Sequence, residues 1–136
     1  MRGKVRTIEA AAFVHETEDR QKIEAAIKNL IPRASIQEED LQGHYGTSIK
    51  KINLKVEGPG TDEETTSLLS KMGAFEKGDI YSRIMEGIER NKIYIRIDKQ
   101  ELVRNLIKLS GDNQIKIIIT FYSANDAKEY LAEQGR

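Results

Sequence analysis

Apolar residues recur along this chain at two spacings, and the spacing divides it into strands and helices. In residues 4–15 (KVRTIEAAAFVH), Ile8, Ala10, Ala12 and Val14 occupy every second position, the period of a strand with one buried face. Ile23, Ile27, Leu30 and Ile31 then fall at i, i+4, i+7 and i+8, which predicts a helix over 18–30. Thr17 is placed to cap it, Glu18 and Asp19 suit its positive end, and Pro32 stops it. The polar segment 35–43 reads as an edge strand and GHYGTS as a turn. Residues 48–58 form a strand with Ile52, Leu54 and Val56 on one face and Lys51, Asn53 and Lys55 on the other. Gly58, Pro59 and Gly60 break it.

The second half repeats the alternation. TDEE (61–64) has the form of a capping box and opens a helix to about Met72, ended by Gly73. A third helix reads from Phe75 or Asp79 to Arg90, with Ile80, Ile84 and Ile88 in line. Residues 92–98 alternate strictly, Ile93, Ile95 and Ile97 inward, Tyr94 and Arg96 outward. Asp98 opens a helix to about Leu109, closed by Gly111. Ile117, Ile118 and Ile119 leave no polar face in the strand 114–122, which makes it the most buried. Ser123 caps a last helix with Ala127, Tyr130 and Leu131 inward. The order β-α-β-β-α-α-β-α-β-α predicts one α+β domain over 1–136. A hairpin within the alternation predicts a mixed β-sheet of about five strands, with helices mainly on one face.

Composition narrows the function classes. At 136 residues with 38% hydrophobic positions, the chain can bury roughly two-thirds of its unfolded surface. Lys plus Arg number 22 and Asp plus Glu 22, so a polyanion would have to be held by segregated charge and not by net charge. The absence of cysteine removes disulfides, thiolate metal sites and a cysteine nucleophile. No signal peptide is read in MRGKVRTIEA, and the longest apolar run, IIITFY, is far shorter than the ~20 residues of a membrane span. A cytoplasmic protein without a membrane anchor is expected.

No motif points to catalysis. His15 and His44 lack a recognisable nucleophile and carboxylate signature, and there is no phosphate loop or dinucleotide fingerprint. Glu38, Glu39, Asp40 and His44 match no metal-ligand spacing and suit an exposed edge strand. The chain is read as a non-enzyme without cofactor or metal. GHYG (43–46) fits the bare G-x-x-G pattern of KH domains, but it joins two strands and lacks a central cation. Its glycines suit a hairpin turn, while His44 and Tyr45 are side chains able to stack on bases. In YIRIDKQ (94–100), Tyr94 and Arg96 share a strand face, and Lys99 and Gln100 occupy the first turn of a helix, where free amides favour an anion.

Three stretches together resemble an archaeal family of small RNA-binding, exosome-associated proteins: AAFVHETEDRQKIEAAIKNLIP (11–32), LQGHYGTSIKKINLKVEG (41–58) and IYIRIDKQELVRNLIKLSGDNQIKIIITFY (93–122). The resemblance implies an α+β fold like that of the large-subunit ribosomal protein that binds five-S RNA. It also implies a non-catalytic accessory role in RNA processing, beside the exosome or the ribosome. Its motif positions are Gly43, His44, Tyr45 and Gly46, and Arg96, Asp98, Lys99 and Gln100. The chain departs from the family's small residues after DKQ, having Glu101, Leu102, Val103 and Arg104. The RNA-binding residues expected are His44 and Tyr45 for stacking, with Lys51, Lys55, Arg96, Lys99 and Gln100 for phosphate contacts. The competing expectation is a protein-interaction module or homodimer acting through the edge strand 35–43, without direct RNA contact.

Overall fold

The computed structural model describes residues 3–15, 18–42, 48–58, 60–76, 88–89, 91–104, 106 and 114–134. Within them the elements are β1 (Val5–His15), α1 (Arg20–Leu30), β2 (Ser35–Gln42), β3 (Ser48–Glu57), α2 (Thr61–Glu76) and β4 (Ile88–Glu89). They continue with β5 (Lys92–Asp98), α3 (Lys99–Val103), β6 (Gln114–Phe121) and α4 (Ala124–Gln134). The strands form one six-stranded sheet in the order β2-β3-β1-β6-β5-β4.

The expected α+β fold is present, but the sheet is antiparallel at every pairing and not mixed. The reason lies in the order of strands. β1 and β2 run the same way, as the crossover through α1 dictates, yet β3 inserts between them and pairs antiparallel with both. The β5-to-β6 connection returns to the end it left, so those strands also pair antiparallel, Tyr94 against Ile118 and Arg96 against Lys116.

One sheet face builds the core. Ile8, Ala10, Ala12 and Val14 of β1 meet Ile52, Leu54 and Val56 of β3, Ile115, Ile117 and Ile119 of β6, and Ile93, Ile95 and Ile97 of β5, all buried. Ile23, Ile27 and Leu30 of α1, Leu68 and Leu69 of α2, and Ala127 and Tyr130 of α4 cover them in the same cluster. Each valine, leucine and isoleucine among them contributes about 1.5–3 kcal/mol by leaving water. Polar ties set the helix layer: Lys71 Nζ of α2 donates to the Asn29 carbonyl of α1 at 2.9 Å, and Thr66 Oγ1 lies 2.5 Å from the Tyr130 hydroxyl of α4.

Several local expectations are corrected. Asp19, not Thr17, caps α1, accepting from the Lys22 amide at 3.2 Å. The capping box at 61–64 does not form. Thr61 is already helical, its hydroxyl donates to the Gly58 carbonyl at 2.5 Å, and Glu64 instead accepts from the Arg33 amide at 3.3 Å. Gly58 and Gly60, with φ of 86° and 91°, make the strand-to-helix turn that only glycine enters without strain. α2 runs through Gly73 to Glu76. Most of the third helix expected near 79–90 lies outside the described residues, and Ile88 and Glu89 at its end are strand, paired with Ile93 and Lys92. The helix after Asp98 is helical only to Val103 among the described residues. The Ser123 cap is as expected: its hydroxyl accepts from the Asp126 amide at 3.0 Å.

Candidate nucleic-acid interface

The strand alternation that buries isoleucine inward sends a second set of side chains to the opposite face, which no described helix covers. Reading across β2, β3, β1, β6 and β5 by register, one row is Gln37, Asn53, Ala11, Lys116 and Arg96. The next is Ser35, Lys55, Glu9, Ile118 and Tyr94, and another begins Glu39, Lys51 and Phe13. At about 4.8 Å between strands, each full row is roughly 19 Å wide.

Two aromatic rings stand on this face, each with an ammonium over it. Phe13 is 49% exposed, and Lys51 Nζ lies 5.9 Å from its ring centroid. Lys116 Nζ lies 5.5 Å from the ring of Tyr94. Cation–π geometry of this kind holds an ammonium beside a ring face, the pair of groups a nucleotide needs for base and phosphate. From the register, the two rings are roughly 17 Å apart, two strands across and four residues along. The same face holds a depression of about 660 Å³ reaching from β2 to β6, floored by Ala11 and walled by longer side chains that include Lys51, Asn53, Lys55, Lys116 and Ile118; neither ring lines it.

Ion pairing differs between the two sides of the sheet. Lys51, Lys92, Arg96 and Lys116 on the helix-free face have no carboxylate within 4.0 Å among the described residues; Lys55 pairs with Glu57 at 3.6 Å. On the helix side, cations are neutralised. Arg20 meets Glu38 at 3.1 Å, and Lys50 meets Asp40 at 3.1 Å and Glu38 at 3.8 Å. Burial raises the Glu24 carboxyl, and its hydrogen bond to Glu38 raises it further. The same bond is the main reason Glu38 is held below its ordinary value. Glu39, pointing the other way, is separated from Glu38 and Asp40 by the pleat, so the acidic run does not converge on one point.

Lys99 and Gln100 lie elsewhere than their expected roles require. Lys99 is 2% exposed; its ammonium donates to the Phe13 carbonyl at 2.6 Å and to Glu18 Oε1 at 2.8 Å. Gln100 Nε2 donates to Glu18 Oε2 at 2.5 Å, and the His15 amide donates to Oε1 at 3.0 Å. Partial burial pushes the Glu18 carboxyl up, but the His15 amide and the Lys99 ammonium outweigh it and hold the group below its ordinary value. Glu18, just before α1, thus meets Lys99 and Gln100 at the start of α3 and closes a clamp between these two segments. Asp98 caps α3, accepting from the Glu101 amide at 2.9 Å.

Of the other expected site residues, Lys51, Lys55 and Arg96 share the helix-free face. Gly43, His44, Tyr45 and Gly46 lie outside the described residues. The sequence reading missed Phe13 and Lys116 as members of this surface, and it left Asn53 and Tyr94 out of the contact set although it put them on outward faces. Period-two alternation contains the missing signal, since each lies at an outward position of its strand.

A family model described as RNA binding matches residues 7–121. The chain belongs to this RNA-binding family. An uncharacterized protein of Methanocaldococcus jannaschii is 30% identical over 129 residues, covering 85% of this chain and 83% of that one. A crystal structure of a DUF54 protein from Sulfolobus solfataricus is similar at TM-score 0.73 and 28% identity, over 94% of this chain and 96% of that one. A DUF54 protein from Methanothermobacter thermautotrophicus shares the fold at TM-score 0.78 and 19% identity, over 98% and 99% of the two chains. The RNA-binding family thus has archaeal members with this fold.

Proposed function

We propose that the helix-free face binds single-stranded RNA without catalysis, through base stacking on Phe13 and Tyr94 and phosphate contacts from Lys51, Lys55, Arg96 and Lys116. The observation that carries the reading is a set of cations on this face, Lys51, Arg96 and Lys116, that no described carboxylate engages, two of them lying over aromatic rings, Phe13 exposed and Tyr94 half-buried. Sequence-tolerant single-strand binders combine these two elements, a cationic track and aromatic platforms. Lys99 and Gln100 leave the contact set because Glu18 already engages them. His44 and Tyr45 stay in the proposal on their sequence alone. On the strength of the sequence resemblance, it extends to an accessory role in the cytoplasm beside the RNA-processing exosome or the ribosome.

Replacing Lys51, Arg96 and Lys116 together by alanine tests the reading. Each phosphate contact on a single strand contributes about 0.7 to the log–log salt slope, which is roughly 5-fold in affinity at 0.1 M salt. The triple variant is expected to bind a single-stranded oligonucleotide roughly 100-fold more weakly in filter binding, with a slope shallower by about 2. Unchanged affinity and slope in a folded triple variant would remove the proposal.

A further inference from the structure

One feature of the helix-free face opposes a polyanion. Glu9 stands at its centre, directly across from Lys55 on β3 and Ile118 on β6, and lines the depression over Ala11. It is exposed, and it makes no hydrogen bond or ion pair within the described residues, since Lys55 turns to Glu57. Of the other described acids of the face, Glu39 stands on the edge strand, Asp98 is engaged as a helix cap, and Glu57, which also lines the depression, is paired with Lys55 at 3.6 Å. A carboxylate only accepts hydrogen bonds, so it gains from RNA only where RNA presents donors.

Resting on the RNA reading above, we propose that the depression over Ala11 is a base-reading subsite in which Glu9 selects guanine. Guanine's Watson–Crick edge carries two adjacent donors, N1–H and the N2 amino group, which match the two oxygens of one carboxylate. Adenine and cytosine set an acceptor beside their amino group, and uracil flanks its single N–H with two carbonyls; each confronts the carboxylate with a repelling oxygen or nitrogen. Asn53, opposite Ala11 and therefore diagonal to Glu9 at roughly 7–8 Å, is placed for its amide N–H to donate to guanine O6. Ile118 offers an apolar plate beside the base, and Lys55 and Lys116 flank the subsite for the phosphates. The volume, about 660 Å³, falls in the range of small-ligand sites. The edge being read is the pairing edge, so the ligand is an unpaired guanosine.

The test uses the full chain and oligouridine of eight to ten nucleotides carrying one central guanosine, inosine or uridine, with binding read by fluorescence anisotropy. The wild type is expected to prefer guanosine to uridine by about 5- to 100-fold, the worth of one bidentate base contact. Inosine, lacking the N2 amino group, should lose most of that preference. Glu9→Gln should abolish the guanosine preference while keeping uridine affinity, and Lys55→Ala should weaken every oligonucleotide but keep it. Wild-type binding within twofold for the three oligonucleotides overturns the proposal. So does a Glu9→Gln variant that strengthens all of them equally, because Glu9 then only repels phosphate. If no oligonucleotide binds the wild type, the RNA reading itself falls.

Discussion

Replacing Lys99 by methionine keeps the length of a side chain that is 3% exposed and removes only its charge and donors. Two contacts go, the 2.8 Å ion pair to Glu18 and the 2.6 Å bond to the Phe13 carbonyl. Glu18, 12% exposed at its side chain, is then a poorly solvated carboxylate without its cation. Breaking one partner of a buried pair costs about 3–5 kcal/mol. The His15 amide and Gln100 still serve Glu18, so the lower end applies, about 3 kcal/mol. For 136 residues, an unfolding entropy near 2.1 cal/mol/K per residue turns this into a fall in Tm of roughly 10 °C. Urea denaturation followed by circular dichroism, on the wild type, Lys99→Met, Glu18→Gln and the double variant, measures it as a cycle. The folded Glu18 value lies below the ordinary 4.5, so its stabilisation is complete above that pH and is lost as pH falls through the lower folded value. The gap between wild type and Lys99→Met should therefore narrow in acid. A Lys99→Met variant within 1 kcal/mol of wild type at pH 7, or single effects that simply add, would refute the clamp.

Other outcomes follow from the same geometry. Phe13→Ala and Tyr94→Ala should each weaken single-stranded RNA binding by about 1–3 kcal/mol in anisotropy titrations, and Phe13→Ala should leave the urea midpoint nearly unchanged because the ring is exposed. Glu24→Gln should raise the thermal midpoint at pH 7 by removing a carboxyl whose ionisation is resisted by burial and by Glu38. The gain should vanish as pH falls through the raised Glu24 value, where the wild type is protonated too, and a pH series of melting curves checks both.

Much of the fold was readable because burial follows period. Ile93, Ile95 and Ile97 were assigned inward by alternation and are buried, and Ile23, Ile27 and Leu30 did the same for α1 at helical spacing. Errors arose where one local signal had two uses. Thr17, Glu18 and Asp19 all suit a helix start, and only the approach of Lys99, 81 positions away, assigns Glu18 to a clamp and leaves the cap to Asp19. Glu64 has the right spacing for a capping box, but the Arg33 amide recruits it. Gly73 carries a stop signal worth about 1 kcal/mol, less than tertiary packing can override. The same competition displaced the site. Lys99 at a helix start reads as an anion contact until Glu18 is seen beside it, whereas Lys116 was hidden by an isoleucine run that suggested a strand with both faces buried.

The strand order also governs how the polypeptide is made. β1 and β6 come from opposite ends of the chain yet lie side by side at the sheet's centre. During synthesis, the β2-β3-β1 half must wait with the β1 edge unpaired until Gln114–Phe121 has left the ribosome. An interrupted chain that ends before β6 would therefore present an alanine-rich edge (Ala10, Ala11, Ala12) to any neighbouring strand, so aggregation is the expected fate of C-terminal truncations.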